Sequence, residues 1–330
     1  MNLLQLFLIP LLAASPLAAA PAPPAPRKTV VAYVPNWIDL KSYAGEIDYG
    51  RLTHLNLAFE NPVDDSGQLS FKASNQFVID RAKEKKVKVL ISIGGGSASD
   101  DPVLKPRYQM LMSPEKRKDF AAKLSEYVVS HGLDGIDVDI EGPSIGDDYG
   151  PFIEELSALL KPKGKLLTAA LSKGYGGDRV PDSTLKCYDF LNIMAYDATG
   201  PWSPDQPGQH SSLQFAGSCV DYWLSRGLPK EKAVLGVPFY GYGFGDNVTK
   251  RNFGYNEIVA AFPGSEQQDQ AGTTIWYNGI PTMKAKARLV MERQLAGVMI
   301  WSLNCDAEGE ASLLTTLDSV LREKTPPVKK

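Results

Sequence analysis

Three cysteines, Cys187, Cys219 and Cys305, are too few to staple a chain of 330 residues together, and their odd number leaves at least one thiol unpaired. One disulfide plus one buried thiol fits the count, and the sequence does not choose the pair. Basic runs are also missing and the formal net charge is −3, so nothing offers the clustered Lys and Arg that a phosphate backbone requires. Nucleic acid is not an expected partner. No glycine-rich phosphate fingerprint follows the first apolar run, where VPNW stands instead. That absence argues against an open, doubly wound dinucleotide-binding sheet.

What is present is the composition of an ordinary folded protein, 43% hydrophobic and 22% charged, long enough for one large domain or two small ones around a sizeable core. The first 20 residues, MNLLQLFLIPLLAASPLAAA, form an apolar run that carries no charged side chain and ends in small residues. This pattern predicts a secretory signal peptide, and hence a secreted, extracellular protein with no membrane association once the leader is removed. An uncleaved anchor helix is the lesser alternative, because Pro10 and Pro16 interrupt a segment already short for a span. Residues 21–27, opening PAPPAP, predict a stiff lead-in outside the fold, and residues 324–330 a flexible tail. Asn247-Val248-Thr249 is a glycosylation sequon that suits a loop.

From Lys28 onward, short β-rich apolar runs alternate with longer amphipathic segments, the pattern of βα units and a parallel sheet. Strands are predicted at 29–34, 52–59, 87–93, 135–140, 165–171, 189–196, 233–240 and 297–303. Between the third and fourth, SPEKRKDFAAKLSEYVVSHG predicts a crossover helix with Ser113 as N-cap, Pro114 at its first position, Phe120, Leu124 and Val128 on its buried face, and Gly132 as stop. Segments 211–227 and 282–297 predict helices of the same kind. Eight strands with intervening helices over roughly 300 residues predict an α/β fold, a single-domain (β/α)8 TIM barrel over residues 28–323, a type that typically needs about 250 residues. Function is then expected at the carboxyl ends of the strands and in the loops after them.

One predicted strand carries too many charges. LDGIDVDIEGP, residues 133–143, sets Asp137, Asp139 and Glu141 at i, i+2 and i+4, so all three point one way while Ile136, Val138 and Ile140 point the other. In a barrel the β-branched set packs on the helices and the carboxylates point inward. Like charges about 6 to 7 Å apart along a strand, in a low-dielectric interior, raise one another's pKa, and burial raises them further. Such a cost is tolerated chiefly for function. Glu141, outermost at the rim, is placed to hold a proton near neutral pH and donate it as a general acid. Asp134 falls outside the series and is expected to shape the strand's start with Gly135. A solvent-facing strand is disfavoured because the neighbouring strands read as buried. A calcium loop is approached by DVDIEG with Asp148 in the twelfth place, but Val138 and Ile140 alternate as a strand and the twelfth position offers the shorter Asp. No metal or cofactor is expected.

DGIDVDIE resembles the D-G-x-D-x-D-x-E signature of family 18 glycoside hydrolases, the chitinase family. Three further segments agree in order: ISIGGG (91–96) with the family's S-x-G-G, MAYD (194–197) with its M-x-Y-D, and VMIWSLN (298–304) with its tryptophan-bearing eighth strand. The resemblance runs from about residue 29 to 320. It implies hydrolysis of β-1,4 bonds between N-acetylglucosamine units with retention, the substrate's own 2-acetamido carbonyl attacking the anomeric carbon. On this resemblance Glu141 protonates the leaving oxygen and then activates water. Asp139 orients the acetamido group and stabilises the oxazolinium-like intermediate, Asp137 shares a proton with Asp139, and Tyr196 hydrogen-bonds the acetamido oxygen. Asp197 contacts the same sugar and Trp301 forms its floor.

Sugar faces stack on aromatic rings. Trp37, Trp202, Trp276 and Trp301 fall at or after predicted strand ends, Tyr33, Phe59 and Tyr240 are candidates for the same bowl, and Trp223 reads as helix core. Two features depart from the family. Tyr242 stands in PFYGYGF where an Arg often follows PFYG, and residues 245–281 are short for the α+β subdomain that many members insert there. No Ser/Thr-rich linker or separate carbohydrate-binding module is visible, which points to soluble chitooligosaccharides or short chains of chitin, acted on by a monomer. Two alternatives stand beside the chitinase reading: an endo-β-N-acetylglucosaminidase acting on N-glycans, and a chitin-binding lectin without activity.

Overall fold

The computed structural model describes residues 27–245 and 250–323. The leader, most of the lead-in, the sequon at Asn247 and the tail lie outside the described residues. Among those described, no helix is long and apolar enough to cross a membrane.

Among the described residues twelve strands form two sheets: β1 (Thr29–Pro35), β2 (His54–Ala58), β3 (Lys88–Gly94), β4 (Gly135–Asp139), β5 (Leu166–Ser172), β6 (Phe190–Met194), β7 (Ala233–Pro238), β8 (Tyr240–Gly243), β9 (Asn252–Gly254), β10 (Gln270–Ala271), β11 (Ile275–Trp276) and β12 (Gly297–Trp301). Strands β1 to β7 and β12 pair in parallel and in chain order, and β12 closes on β1 as a barrel. This is the (β/α)8 architecture that the alternating pattern predicts, with each of the eight expected runs supplying one barrel strand. Strands β10, β11, β8 and β9 make a small antiparallel sheet, with the helix Tyr255–Ala261, on the barrel's carboxyl face. It is the short insertion expected near 245–281, and it begins earlier than expected. The predicted seventh run, 233–240, breaks at Phe239, and Tyr240 opens the second sheet.

The outward β-branched residues pack on the helices as their alternation requires. Val138 and Ile136 are fully buried, as are Phe120, Leu124 and Val128 of the helix Arg117–Ser130, and each such side chain contributes about 1.5–3 kcal/mol. That helix starts three residues later than Ser113 and Pro114 suggest. The Ser113 carbonyl accepts from the backbone N–H of Lys116 and Arg117, but its hydroxyl turns to the Glu115 carboxylate at 2.8 Å rather than to a backbone N–H. The helices Leu213–Ser225 and Ile280–Glu292 answer the other two predicted segments, and Trp223 is core. All three cysteines are free thiols, so no disulfide forms among them.

Candidate active site

Register across the barrel sets the charged strand among polar neighbours. Asp137 of β4 lies beside Ser92 of β3 and Thr168 of β5, and Asp139 beside Gly94. Asp137 is wholly buried and receives four donors. The Tyr33 and Ser92 hydroxyls reach Oδ2 at 2.5 and 2.8 Å, while the Thr168 hydroxyl and the Asn192 amide reach Oδ1 at 2.6 and 3.1 Å. Burial raises the Asp137 carboxyl, and these donors, which favour its charged form, pull it back. Each Asp137 oxygen thus carries two donors from other strands, next along β4 to the Asp139 with which it was expected to share a proton. Asp139 Oδ1 is buried with no partner among the described residues. Its carboxyl is pushed well above the usual range by burial, then by Glu141 and Asp137.

Glu141 leaves β4 at the rim. Burial, then Asp197 and Asp100, push its carboxyl up to about 7, the range a general acid needs at neutral pH. The glycines after β3 let the backbone approach. A Cβ on Gly94, at φ 99°, would lie 2.4 Å from the Asp139 carbonyl oxygen, and one on Gly95, at φ 86°, would lie 2.5 Å from the Phe59 ring. These contacts explain the first two glycines of the run ISIGGG.

At the end of β6 the Tyr196 hydroxyl has only a weak contact with Met299 Sδ at 4.0 Å, which leaves it able to donate elsewhere. Asp197, at φ 63°, accepts on Oδ1 from the hydroxyls of Tyr240 and Tyr242, the latter at 3.0 Å, and His210 Nδ1 lies 3.5 Å away. Tyr242 therefore keeps a polar contact at the position where the family often has Arg. Glu141, Tyr196, Asp197 and Trp202 line one cleft of about 810 Å3, together with Tyr175 and Phe215.

On the other flank three rings are stacked in series. Phe59 lies 6.3 Å from Trp37 and 5.7 Å from Trp301, with interplanar angles of 26° and 25°. Trp37 is 60% exposed and Trp202 59%, the latter edge-on to Tyr242. Two expected lining residues have other work. Tyr33 is buried beneath Trp301 with its hydroxyl on Asp137, and Tyr240 is buried with its hydroxyl on Asp197.

The barrel and this strand-end geometry are accompanied by a match of the family model described as Glycosyl hydrolases family 18 to residues 29–306. The chain belongs to that family. Among solved structures it is similar to the GH18 chitinase ChiB from the chitin utilization locus of Flavobacterium johnsoniae, at 37% identity and a TM-score of 0.81, covering 89% of this chain and 94% of that one. A class V chitinase of Arabidopsis thaliana is 33% identical over 79% of this chain and 82% of its own length. A probable chitinase 10 of Drosophila melanogaster is 26% identical over 88% of this chain, which spans 16% of that relative's length.

Several residues of this family 18 site escaped the sequence reading. Thr168 and Asn192 each stand as lone polar residues inside apolar strand runs, as does Ser92, already marked as the serine of S-x-G-G, and that inward parity was the available signal. Glu60, 1% exposed, left no such signal. It accepts from Asn36, Ser70, Asn75 and the Lys72 backbone, while Asn36 also donates to the Phe59 carbonyl at 2.9 Å. This knot fixes the loops that carry Trp37 and Phe59.

Proposed function

We propose that the protein is a secreted chitinase-type glycosidase that cleaves β-1,4 bonds between N-acetylglucosamine units with retention. The observation that carries this reading is the strand end where Glu141, poised near neutral pH, shares a cleft with Tyr196 and Asp197, above an Asp139 whose buried oxygen lacks a partner.

Glu141 donates its proton to the glycosidic oxygen as the carbon–oxygen bond breaks. The substrate's acetamido carbonyl oxygen bonds to the anomeric carbon from the opposite face, forming an oxazolinium. The acetamido N–H becomes the partner of Asp139, and the Tyr196 hydroxyl donates to the acetamido group. Glu141, now a carboxylate, takes a proton from water as that water adds at the anomeric carbon and reopens the ring, restoring the acid. Two inversions give net retention, and no second carboxylate has to reach the far face of the sugar.

The Glu141→Gln protein should release no reducing ends from chitooligosaccharides while binding them with near wild-type affinity by calorimetry. Full activity in that variant would sink the assignment. Parallel incubation of the wild type with chitooligosaccharides and with an N-glycoprotein separates this reading from an endo-β-N-acetylglucosaminidase. Binding without turnover on either would identify a lectin.

A further inference from the structure

Lys286, in the helix Ile280–Glu292, is fully buried, and no carboxylate among the described residues lies within ion-pair distance of it. Its amine instead donates to two neutral oxygens, Ser211 Oγ and Asn278 Oδ1, each at 2.6 Å. Burial pushes it down to about 7, partly offset by Asp269. A buried lysine of this kind needs a reason.

The directions of the hydrogen bonds supply one. Ser211 Oγ has a single proton and gives it to the Ala195 carbonyl at 2.6 Å, an atom that can only accept. Ser211 must therefore accept from Lys286. Asn278 donates through Nδ2 to the Tyr277 carbonyl, which turns its Oδ1 toward the lysine. Two N–H groups satisfy both oxygens, so the arrangement is the same for the charged and the neutral amine. The chain of bonds joins the insertion, the last long crossover helix and the end of β6.

Ala195 stands between Met194 and Tyr196, and Asp197 follows in the left-handed region at φ 63°. A non-glycine residue keeps that conformation only where its surroundings hold it. Here the holding bonds come from two adjacent residues. The His210 carbonyl accepts from Ala198 N at 3.0 Å, His210 Nδ1 accepts from Asp197 N at 3.4 Å, and the Ser211 hydroxyl grips Ala195. We propose that Lys286 is a positioning residue for hydrolysis, fixing through Ser211 the Ala195–Asp197 bend that presents the Tyr196 hydroxyl and the Asp197 carboxylate to the cleft. The inference rests on the hydrolytic function proposed above.

Lys286→Met, Ser211→Ala and the double variant test it on chitotetraose, with kcat and KM referred to folded protein measured by circular dichroism. Each single variant should lose on the order of tenfold in kcat, as a small displacement of a reacting group does, with a smaller change in KM. The double variant should be no slower than the slower single one, because both changes cut one chain of bonds. A folded Ser211→Ala protein with wild-type kcat overturns the inference, whether or not Lys286→Met folds, and so do losses that multiply in the double variant. A wild type with no turnover overturns the hydrolytic reading and this inference together. An active wild type with unaffected variants overturns this inference alone.

Discussion

The Tyr33 hydroxyl donates to Asp137 Oδ2 at 2.5 Å, linking the first barrel strand to the fourth across the interior. Three more donors converge on the same carboxylate, so Asp137 is a structural hub as well as a neighbour of Asp139. Asp137→Ala leaves four buried groups unpaired and should cost on the order of 3 kcal/mol or more, read as a lowered urea midpoint. Asp137→Asn keeps one acceptor, and the hydroxyls can rotate toward its amide, so it should lose less stability than the alanine variant. Equal stability of the two variants would contradict this role.

The barrel was legible because each of its strands is buried on both sides and reads as an apolar run, and because the i, i+2, i+4 acids could face only inward. The four partners of Asp137 were not legible as a set. They come from four different strands, and only the register joins them. Ser113 misled for a local reason: its hydroxyl found Glu115 before it found the helix. Lys286 and Glu60 were missed because nothing in the surrounding pattern marks a charge that the fold buries among neutral donors and acceptors.

Activity should decline above about pH 7 as Glu141 loses its proton. The negative charge of Asp197 is the largest charge contribution holding that carboxyl up, so Asp197→Asn should move the alkaline limb of kcat/KM to lower pH. A limb that stays in place or moves to higher pH would contradict the assignment of Glu141 as the acid.

The stacked run of Trp37, Phe59 and Trp301 should serve longer chains most. Trp37→Ala should raise KM for chitohexaose by about fivefold, the equivalent of about 1 kcal/mol of stacking, with little change for the shortest substrate that is cleaved. Glu60→Ala should shift KM in the same sense by loosening the loops beneath those rings, and Glu60→Gln should do so less. Steady-state kinetics across an oligosaccharide series reads both.

Lys286 also gives the fold a pH signature. Its amine binds a proton less tightly in the folded chain, near 7, than in the unfolded chain, near 10.5. Between those values the unfolded state holds more protons, so the contribution of Lys286 to stability rises with pH and is lost as pH falls through about 7. The stability of the wild type minus that of Lys286→Met should therefore increase from pH 7 to 9.5 in urea titrations. A flat or falling difference would contradict the buried, unpaired placement of the amine.

In the proposed reaction the substrate's own acetamido group does the work of a second carboxylate, with Glu141 as the proton donor. Proton NMR of chitohexaose during the first minutes of hydrolysis tests it most directly, because the anomer formed at the cut is seen before mutarotation. The new reducing end should appear as the β-anomer. Initial formation of the α-anomer would contradict it.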